Sequence, residues 1–480
     1  MNICYFFTNI KYLYFFHKLL FDIILYITYR KVTGANSTFL INTINSDIKN
    51  NGFIIIKLVQ WLLCRYSNLM KTTNKYSNLY NFLENFKDVY ENCNLHNFKY
   101  TKNIFLKDFS ENITDIIDID EDYIVPSASI AQVYKGILKS TREKIAIKVI
   151  HPELQNQITY PFLYYTLYCY ITKNFKPFNK YTLPFDLSSF FDNFIKQINM
   201  INEAKNLEYF YNEYSDNPLV LIPKPLFWSK NILVMEYIEG DNFEKIDISK
   251  YQQYKFVLYV NLFVRNNLIN LDKIHADLHS SNWKIITSNK IPKIVIYDFG
   301  FCIDIPKKSR NHLHNINKAI ETNNHMLFAD SIFNYLKTYC SKDIFIKDAE
   351  QFMNSNKDNI NIRNYIEFCI NKNYIFNSDI LDITLSSLLV NNYFYTYISN
   401  QNIETDFEHN ELDNIKKLEN TNNHLMTLSS ICDINNCYNK LNNFLKIFIN
   451  ENRENIIKIR QKNIINNLIN KKCNEEFIDL

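Results

Sequence analysis

Glycine is nearly absent from this 480-residue chain, which has only Gly34, Gly52, Gly136, Gly240 and Gly300. In such a chain each glycine is expected to mark backbone that needs a positive φ or a close approach by another group. Proline is also unevenly used, because all ten prolines fall between positions 126 and 306. The most sharply turning part of the fold is therefore predicted in this central segment.

The chain also lacks an excess of charge of one sign and any metal-like cysteine spacing. Its 53 Lys and Arg balance 50 Asp and Glu, giving a net charge of +3 without a basic stripe, so no nucleic-acid partner is predicted. The ten cysteines are scattered without a Cys-x-x-Cys pair. Reduced, mostly buried thiols are therefore expected.

Long uncharged apolar runs are lacking too. Residues 1–40 are aromatic and hold four basic residues but only one acid, Asp22, and the pair Lys18 and Asp22 interrupts the apolar run. A membrane-spanning helix is therefore not predicted. The segment fits an organelle-targeting or membrane-associating helix, and an ordinary buried helix is an equally open alternative.

The remaining pattern divides the chain into three further parts. Residues 41–122 read as a helical extension, 123–240 as a sheet-rich lobe that includes one helix over 188–214, and 241–480 as a helical lobe with an Asn/Lys-rich tail. Strands first and helices later favour an α+β fold.

Two polar clusters lie at the two ends of one predicted hairpin, "WKII" and "KIVIY". "HADLHSSN" supplies Asp277 and Asn282, and "DFG" supplies Asp298. Hard oxygens of this kind suit Mg²⁺, and the five-position interval from Asp277 to Asn282 equals that in the catalytic loop of protein kinases. A carboxylate beside a metal–phosphate site is therefore predicted, with Asn282 and Asp298 as metal ligands and with Asp277, Lys148 and Glu203 as catalytic residues.

A cation for the phosphates is predicted on the strand "KIAIKV". Alternation places Lys148 and Ala146 on one face, where the small alanine leaves room for a base and the ammonium reaches phosphate. Glu203, on the following predicted helix, is the expected partner of Lys148. Each signal alone is weak, but together they occur in the order found in kinases.

These residues resemble the UbiB family of atypical kinases, the aarF-domain-containing kinases, over roughly residues 50–305. "SASIAQVYKG" resembles the family's alanine-rich nucleotide loop, "IAIKVIHP" its lysine strand, and the pattern of His275, Asp277, His279 and Asn282 its catalytic motif. The resemblance implies a protein-kinase-like bilobal fold that binds ATP with Mg²⁺. The nucleotide contacts it implies are Ser127, Ala128, Ser129, Ile130, Ala131, Gln132, Val133, Ala146, Lys148 and Glu236.

The family's N-terminal K-x-G-Q signature resembles "KLVQ", with Lys57 and Gln60 in place and Val59 where the family has glycine. In the family this extension folds over the cleft where a protein substrate would otherwise dock. The family's acidic pair before the helix glutamate is replaced by Gln197 and Asn199, which can hydrogen-bond a lysine but cannot neutralise it. The resemblance implies that Lys57, Gln60, Gln197 and Asn199 are regulatory.

The resemblance implies an atypical kinase or ATPase that supports ubiquinone (coenzyme Q) biosynthesis or related lipid homeostasis. It also implies lipid or quinone-precursor partners, a membrane surface and a biosynthetic protein complex. The implied location is the mitochondrial inner membrane or another endosymbiotic organelle. A nucleotide-binding pseudokinase scaffold is the alternative. An ordinary protein kinase is disfavoured, because no Ala-Pro-Glu tripeptide ends an activation segment after "DFG".

Overall fold

A computed structural model of the chain describes residues 3–72, 77–86, 95–125, 130–152, 154–175, 187–215, 219–248, 271–287, 293–306, 324–333 and 341–355, with single residues and short runs elsewhere between 217 and 383. Residues 216 and 218, on either side of the described residue 217, are not among them. The Asn/Lys-rich tail predicted from the sequence lies outside them.

Helices and strands follow the predicted order. The helices are α1 (Ile3–Thr33), α2 (Thr38–Asn50), α3 (Phe53–Thr72), α4 (Ser77–Glu84), α5 (Phe98–Phe109), α6 (Ile113–Ile116), α7 (Leu154–Asn174), α8 (Leu187–Gln197), α9 (Met200–Tyr214), α10 (His325–Phe333) and α11 (Lys342–Ser355). The strands are β1 (Ile117–Val125), β2 (Ala131–Leu138), β3 (Lys144–Ile150), β4 (Val220–Leu221), β5 (Pro225–Trp228), β6 (Ile232–Glu236), β7 (Lys273–His275), β8 (Trp283–Ile286), β9 (Lys293–Ile296) and β10 (Cys302–Asp304).

An antiparallel five-stranded sheet, in the order β1-β2-β3-β6-β5, forms the first lobe. Its two faces join different cores, as the alternation in β3 predicts. Ile145 and Ile147 pack with Phe105 in a core outside the sheet, whereas Ala146 belongs to the large core shared with the helical part of the chain. The predicted α+β arrangement of a sheet-rich lobe followed by helices is confirmed.

The sheet-rich lobe begins earlier than residue 123. Strand β1 starts at Ile117, and Phe105 of α5 and Ile113 of α6 are buried in the outer core of the sheet. The helical extension therefore does not run to 122. The sequence concealed this because "IDIDEDY" is too acidic to show an apolar strand pattern.

The single helix predicted over 188–214 is two helices. α8 ends at Gln197, and α9 begins at Met200 after Asn199, which is the N-cap and has extended backbone angles. Asn199 Oδ1 accepts the N–H of Ile201 at 3.2 Å. An asparagine that caps a helix end interrupts the hydrophobic period very little, so periodicity alone did not reveal the break.

The predicted hairpin is confirmed, and two further pairings fix its surroundings. β8 and β9 are antiparallel with Trp283 opposite Ile296. An unpredicted pair, β7 with β10, places His275 opposite Cys302, and β4 adds to β9 in parallel. Helical residues also occur between 256 and 268, in the part of the chain that the sequence predicted to be helical.

Helix α1 is one long helix that buries one side and exposes the other. Tyr12, Phe16 and Tyr26 are buried, and Lys18 Nζ lies 2.9 Å from Asp22 and 2.6 Å from Asp47 of α2. The described part of the chain contains no helix with the length and apolarity needed to cross a membrane. Helix α7, which the sequence did not predict, packs beside α1.

Candidate active site

Lys148 is the centre of a buried ion cluster between the sheet and the helical lobe. Its Nζ donates to Glu203 Oε1 at 2.7 Å and to Asp298 Oδ1 at 2.9 Å, and its side chain is only 3% exposed. These three residues come from β3, from α9 and from the segment that follows β9. The structure therefore brings together the lysine, the glutamate and the aspartate that the sequence had singled out.

The carboxylates of Glu203 and Asp298 share the Lys148 ammonium, but their pKa values shift in opposite directions. Burial raises the pKa of Glu203 to about 7, because the nearby charge of Lys148 compensates only part of the lost hydration. Burial alone would also raise the pKa of Asp298, but the positive charges of Lys148 and Lys57 lower it to about 2. Burial works against the charge on Lys148, yet Asp298 and Glu203 together raise its pKa. Lys148 and Asp298 are thus both charged at neutral pH.

The backbone at Asp298 adopts a left-handed conformation with φ of 53°. This is uncommon outside glycine and marks a position that its surroundings fix. The following turn brings Gly300 so close that a Cβ there would lie 3.1 Å from Asp298 Oδ1 and 3.3 Å from Glu203 Oε2. A side chain at position 300 would therefore require the Asp298 or Glu203 carboxylate to shift by a few tenths of an ångström.

The loop after β7 is held in shape by neutral polar groups. His275 Nδ1 accepts the N–H of Asp277 at 3.3 Å, and its Nε2 lies 3.2 Å from the carbonyl of Tyr297. Burial lowers the pKa of His275, which fits a neutral ring with its proton on Nε2. Asn282 Nδ2 donates to the carbonyl of Asp277 at 2.7 Å. Hydrogen bonds of His275 and Asn282 thus hold this loop against the segment of Tyr297.

The site fits a magnesium ion carried by phosphates rather than a metal held by protein alone. In the described residues, no group of three or more His, Cys, Asp and Glu side chains is placed to hold a metal. Buried Glu203 Oε2 has no hydrogen-bond partner there, and Asp298 stays ionised beside it. Mg²⁺ typically binds one or two protein oxygens together with water and substrate phosphate. Asp298 and Asn282 supply oxygens of that kind.

Lys57 of α3 reaches into this site from the N-terminal extension. Its Nζ lies 2.8 Å from Asp277 Oδ2, with both side chains largely buried. The charge of Lys57 also favours ionised Asp298 and Glu203. The sequence had expected Lys57 near the amides of Gln197 and Asn199, but it did not predict this contact with the candidate catalytic aspartate.

The start of α3 is anchored to the sheet-rich lobe. The N–H of Phe53 donates to Gln157 Oε1 at 2.8 Å, and the Phe53 ring stacks on His151 with centroids 4.1 Å apart. Gly52 has φ of +84°, and a Cβ there would lie only 2.5 Å from the same Gln157 oxygen. A close approach therefore explains this glycine. At its start, helix α3 is hydrogen-bonded to the sheet-rich lobe. Further along, its Lys57 pairs with Asp277 of the helical lobe.

The other predicted regulatory residues lie nearby with different roles. Gln60 is half-buried on α3, next to the buried Val59 that replaces the family's glycine, while Gln197 is buried at the end of α8. Asn199 uses its side-chain oxygen to cap α9. Whether these positions regulate the protein stays a prediction.

The nucleotide loop is only partly described. Ser127, Ala128 and Ser129 lie outside the described residues, while Ile130 and Ala131 are buried and Val133 lies opposite Lys148. Gln132 lies opposite Val149, on the outer face of the sheet. Its amide accepts the N–H of His96 at 2.9 Å and donates to Tyr134 OH at 2.7 Å. The Gln132 side chain therefore lies on the face of the sheet away from Lys148, and a nucleotide contact at Gln132 stays a prediction.

Glu236 is the last residue of β6, and a nucleotide contact at this position stays a prediction. It pairs with Ile145, whose side chain lies in the outer core, and Glu236 Oε2 accepts the N–H of Lys224 at 3.2 Å. Met235 instead lies opposite Ala146 and belongs to the same core. The strand alternation in "ILVMEY" thus places the Met235 side chain on the face of the sheet that carries Ala146.

Tyr297 is a site residue that the sequence analysis missed. Its OH donates to the carbonyl of Ile238 at 2.8 Å, in the linker between β6 and Gly240. Its own N–H donates to the carbonyl of Asn282 at 2.8 Å, and its carbonyl contacts His275. Tyr297 thus connects the interlobe linker, the catalytic loop and the adjacent Asp298. The motif "YDFG" includes Tyr297, but nothing in that motif indicates its contact with Ile238.

A sheet-rich lobe, a buried lysine–glutamate pair and an aspartate after a hairpin define a protein of the kinase-like class. The chain belongs to the ABC1 atypical kinase-like family, whose domain model matches residues 88–331. The fold and family expected from the sequence are thereby confirmed.

Named relatives agree with this assignment. The chain is 28% identical to the chloroplastic protein Activity of BC1 complex kinase 3 of Arabidopsis thaliana, over 39% of this chain and 26% of the relative. It is 27% identical to the probable protein kinase UbiB of Blochmanniella pennsylvanica, over 39% and 36%. It is 25% identical to a mitochondrial ABC1 family protein of Saccharomyces cerevisiae, over 49% and 38%. The chain thus matches well under half the length of each relative.

Proposed function

We propose that this chain binds Mg²⁺-ATP in the cleft around Lys148 and hydrolyses it or transfers its terminal phosphoryl group. The observation that supports the proposal best is the buried cluster in which Lys148 contacts Glu203 and Asp298 at 2.7 Å and 2.9 Å. Burying one cation and two carboxylates is costly for folding alone. Binding of a triphosphate and its metal ion by these charged groups would be a functional reason for burying them.

Each residue has a distinct role in this proposal. Lys148 neutralises phosphate charge, and Glu203 holds the ammonium in position. Asp298 and Asn282 would hold the magnesium ion, which when bound neutralises the negative charge that develops on the phosphates. Asp277 orients the attacking hydroxyl or water and accepts its proton, once Lys57 no longer occupies that carboxylate.

The biological setting is part of the same proposal. The relatives include a UbiB protein, a chloroplastic protein and a mitochondrial protein. They support a location in an endosymbiotic organelle, and the mitochondrial inner membrane is the first candidate. We propose that the activity supports ubiquinone (coenzyme Q) biosynthesis or related lipid homeostasis. Lipid or quinone-precursor molecules and a biosynthetic protein complex are the corresponding partners.

A pseudokinase scaffold is the second candidate function. It is favoured by one observation, the 2.8 Å contact through which Lys57 occupies Asp277. A protein in which that contact never opens would bind nucleotide without turning it over. Turnover therefore separates the two candidates.

The test is titration of the full chain with Mg²⁺-ATP, followed by measurement of phosphate release with and without phenolic quinone-precursor analogues. We expect saturable binding and turnover. Lys148→Ala should weaken ATP binding by at least about tenfold, because a charge-assisted contact to phosphate is lost. Lys139→Ala, which removes an exposed lysine 3.3 Å from Asp118, is the matched control and should bind normally. Binding without turnover would favour the scaffold, and no binding would refute both.

Tyr297→Phe should affect the same activity in a different way. Losing the 2.8 Å bond to Ile238 should cost roughly 1 kcal/mol of unfolding free energy and loosen the linker. We expect the KM for ATP to rise several-fold while kcat changes little. Tyr214→Phe is the control, because its hydroxyl is buried against Asn267 at 2.9 Å in the helical lobe. If both variants change KM equally, Tyr297 does not position the site.

A further inference from the structure

A pair of histidines joins the start of α3 to the outer side of the sheet. His96 lies just before α5 and His151 directly follows β3, and their Nδ1 atoms are 2.9 Å apart. His151 is buried, and its ring is stacked on that of Phe53 with only 4° between the ring planes. Neither histidine takes part in the proposed chemistry, so the pair needs another explanation.

Further hydrogen bonds connect this pair to β2. The N–H of His96 donates to Gln132 Oε1 at 2.9 Å, and His96 Nε2 lies 3.0 Å from Thr101 Oγ1. Thr101 Oγ1 lies 2.9 Å from the OH of Tyr134, which also accepts from Gln132 Nε2 at 2.7 Å. The group therefore links the start of α3 and the end of β3 to the strand that carries part of the predicted nucleotide loop.

The short contact between the two histidine rings restricts their protonation. A hydrogen bond between two Nδ1 atoms needs one that carries a proton and one that does not, so a pair charged on both rings would break it. Burial lowers the pKa of His96 to about 4. Burial, together with the charge of His96, lowers the pKa of His151 to about 3. Both rings are therefore neutral at neutral pH.

The titratable groups that face His96 in the described residues are tyrosines. The rings of Tyr100 on α5 and Tyr134 on β2 lie against His96 with centroids 4.9 Å and 6.4 Å away. Burial and the charge of Asp108 raise the pKa of Tyr100. Asp108 itself accepts a hydrogen bond from the hydroxyl of Ser229 at 2.6 Å. These surroundings offer His96 no carboxylate that would stabilise an added proton.

The elements packed against His151 are equally without acid. Phe53 of α3 covers the ring, and Gln157 of α7 accepts the N–H of Phe53 at 2.8 Å. Neither α3 nor α7 contains an acidic residue in its range. Within the described part of the chain, the buried His151 Nε2 has no hydrogen-bond partner. An imidazolium formed here would be buried without a compensating charge.

We propose that His96 and His151 form a proton-sensitive switch that keeps the start of α3 bound to the sheet-rich lobe and releases it as the pH falls. Released histidines regain an ordinary pKa of about 6.5, so opening takes up protons that the closed pair does not bind. The closed switch is therefore fully stable above about pH 6.5 and loses stability as the pH falls toward the closed-state pKa values. Release of α3 would also withdraw Lys57 from Asp277, and this last step rests on the proposed function.

The experiment is amide hydrogen exchange of the full chain over residues 53–60, corrected for the intrinsic pH dependence of exchange. Two released histidines should raise the opening constant about a hundredfold between pH 7.5 and pH 5.5. His151→Asn keeps a planar amide near the Nδ1 position but removes one titrating ring, so the rise should be only about tenfold. His96→Asn with His151→Asn should show a rise of less than about threefold.

His325→Asn is the matched control, because it removes a histidine outside the switch that lies 4.0 Å from Glu350. This variant should show the same rise as the wild type. The proposal is overturned if the wild-type opening constant rises less than about tenfold, if His151→Asn keeps the full rise, or if the control loses it. Should the double variant fail to fold, His96→Asn alone replaces it, with the same expected rise as His151→Asn.

Phosphate release on the same samples separates the switch from the proposed function. If the chain hydrolyses ATP, acidification should lower the ratio of turnover in Lys57→Ala to turnover in the wild type, because the wild type then releases Lys57 as well. An unchanged ratio would overturn the link from the switch to Asp277. The expected exchange without turnover in any sample would refute the proposed function and support the switch by itself.

Discussion

Asp298→Asn is expected to reduce ATP turnover by at least about a thousandfold, because it removes the negative charge that would hold the metal ion on the phosphates. The substitution keeps the size of the side chain and its Oδ1. The Gly300 N–H, which donates to Oδ1 at 3.3 Å, therefore keeps its acceptor. Lys148 also keeps its 2.7 Å contact with Glu203. Phosphate release and ATP titration on the same preparation measure the effect.

Binding of nucleotide should fall much less than turnover in this variant. The matched control is Asp304→Asn, which removes an exposed carboxylate that pairs with Lys273 after the same turn. That control should turn over ATP at the wild-type rate. If Asp298→Asn retained turnover within about tenfold of wild type, Asp298 would not be a metal ligand in the reaction.

Lys57→Ala is expected to act in the opposite direction, raising turnover by about tenfold, because Asp277 then becomes available as a base. In the wild type, the 2.8 Å contact with Lys57 Nζ occupies Asp277 Oδ2. The same change should lower the unfolding free energy by roughly 3 kcal/mol, since a largely buried carboxylate loses its partner. Phosphate release and denaturant unfolding measure the two effects.

Lys57→Arg keeps the charge and should stay close to wild type in both measurements. A fall in turnover in Lys57→Ala would instead show that Lys57 supplies positive charge to the phosphates. A gain in stability would show that the contact with Asp277 is strained. Either result would remove the basis for calling α3 an inhibitory element.

Local pattern was sufficient wherever a residue's role follows from its immediate neighbours in the chain. The alternation in "KIAIKV" correctly placed Lys148 and Ala146 on one face. The hairpin around "WKII" and "KIVIY" correctly brought the loop of Asp277 and Asn282 toward Asp298. Periodicity failed at Asn199, where a cap breaks the helix without disturbing the apolar spacing.

The sequence by itself determined the kinds of groups in the site and their order: a strand lysine, a helix glutamate, and carboxylate and amide oxygens at the ends of a hairpin. The tertiary structure alone decided their partners. Lys57 meets Asp277 across 220 positions, and Tyr297 reaches Ile238 across 59. Gln132 faces away from Lys148 because the sheet packs α5 on its outer side. Such pairings depend on how whole elements pack, and no short stretch of sequence carries that information.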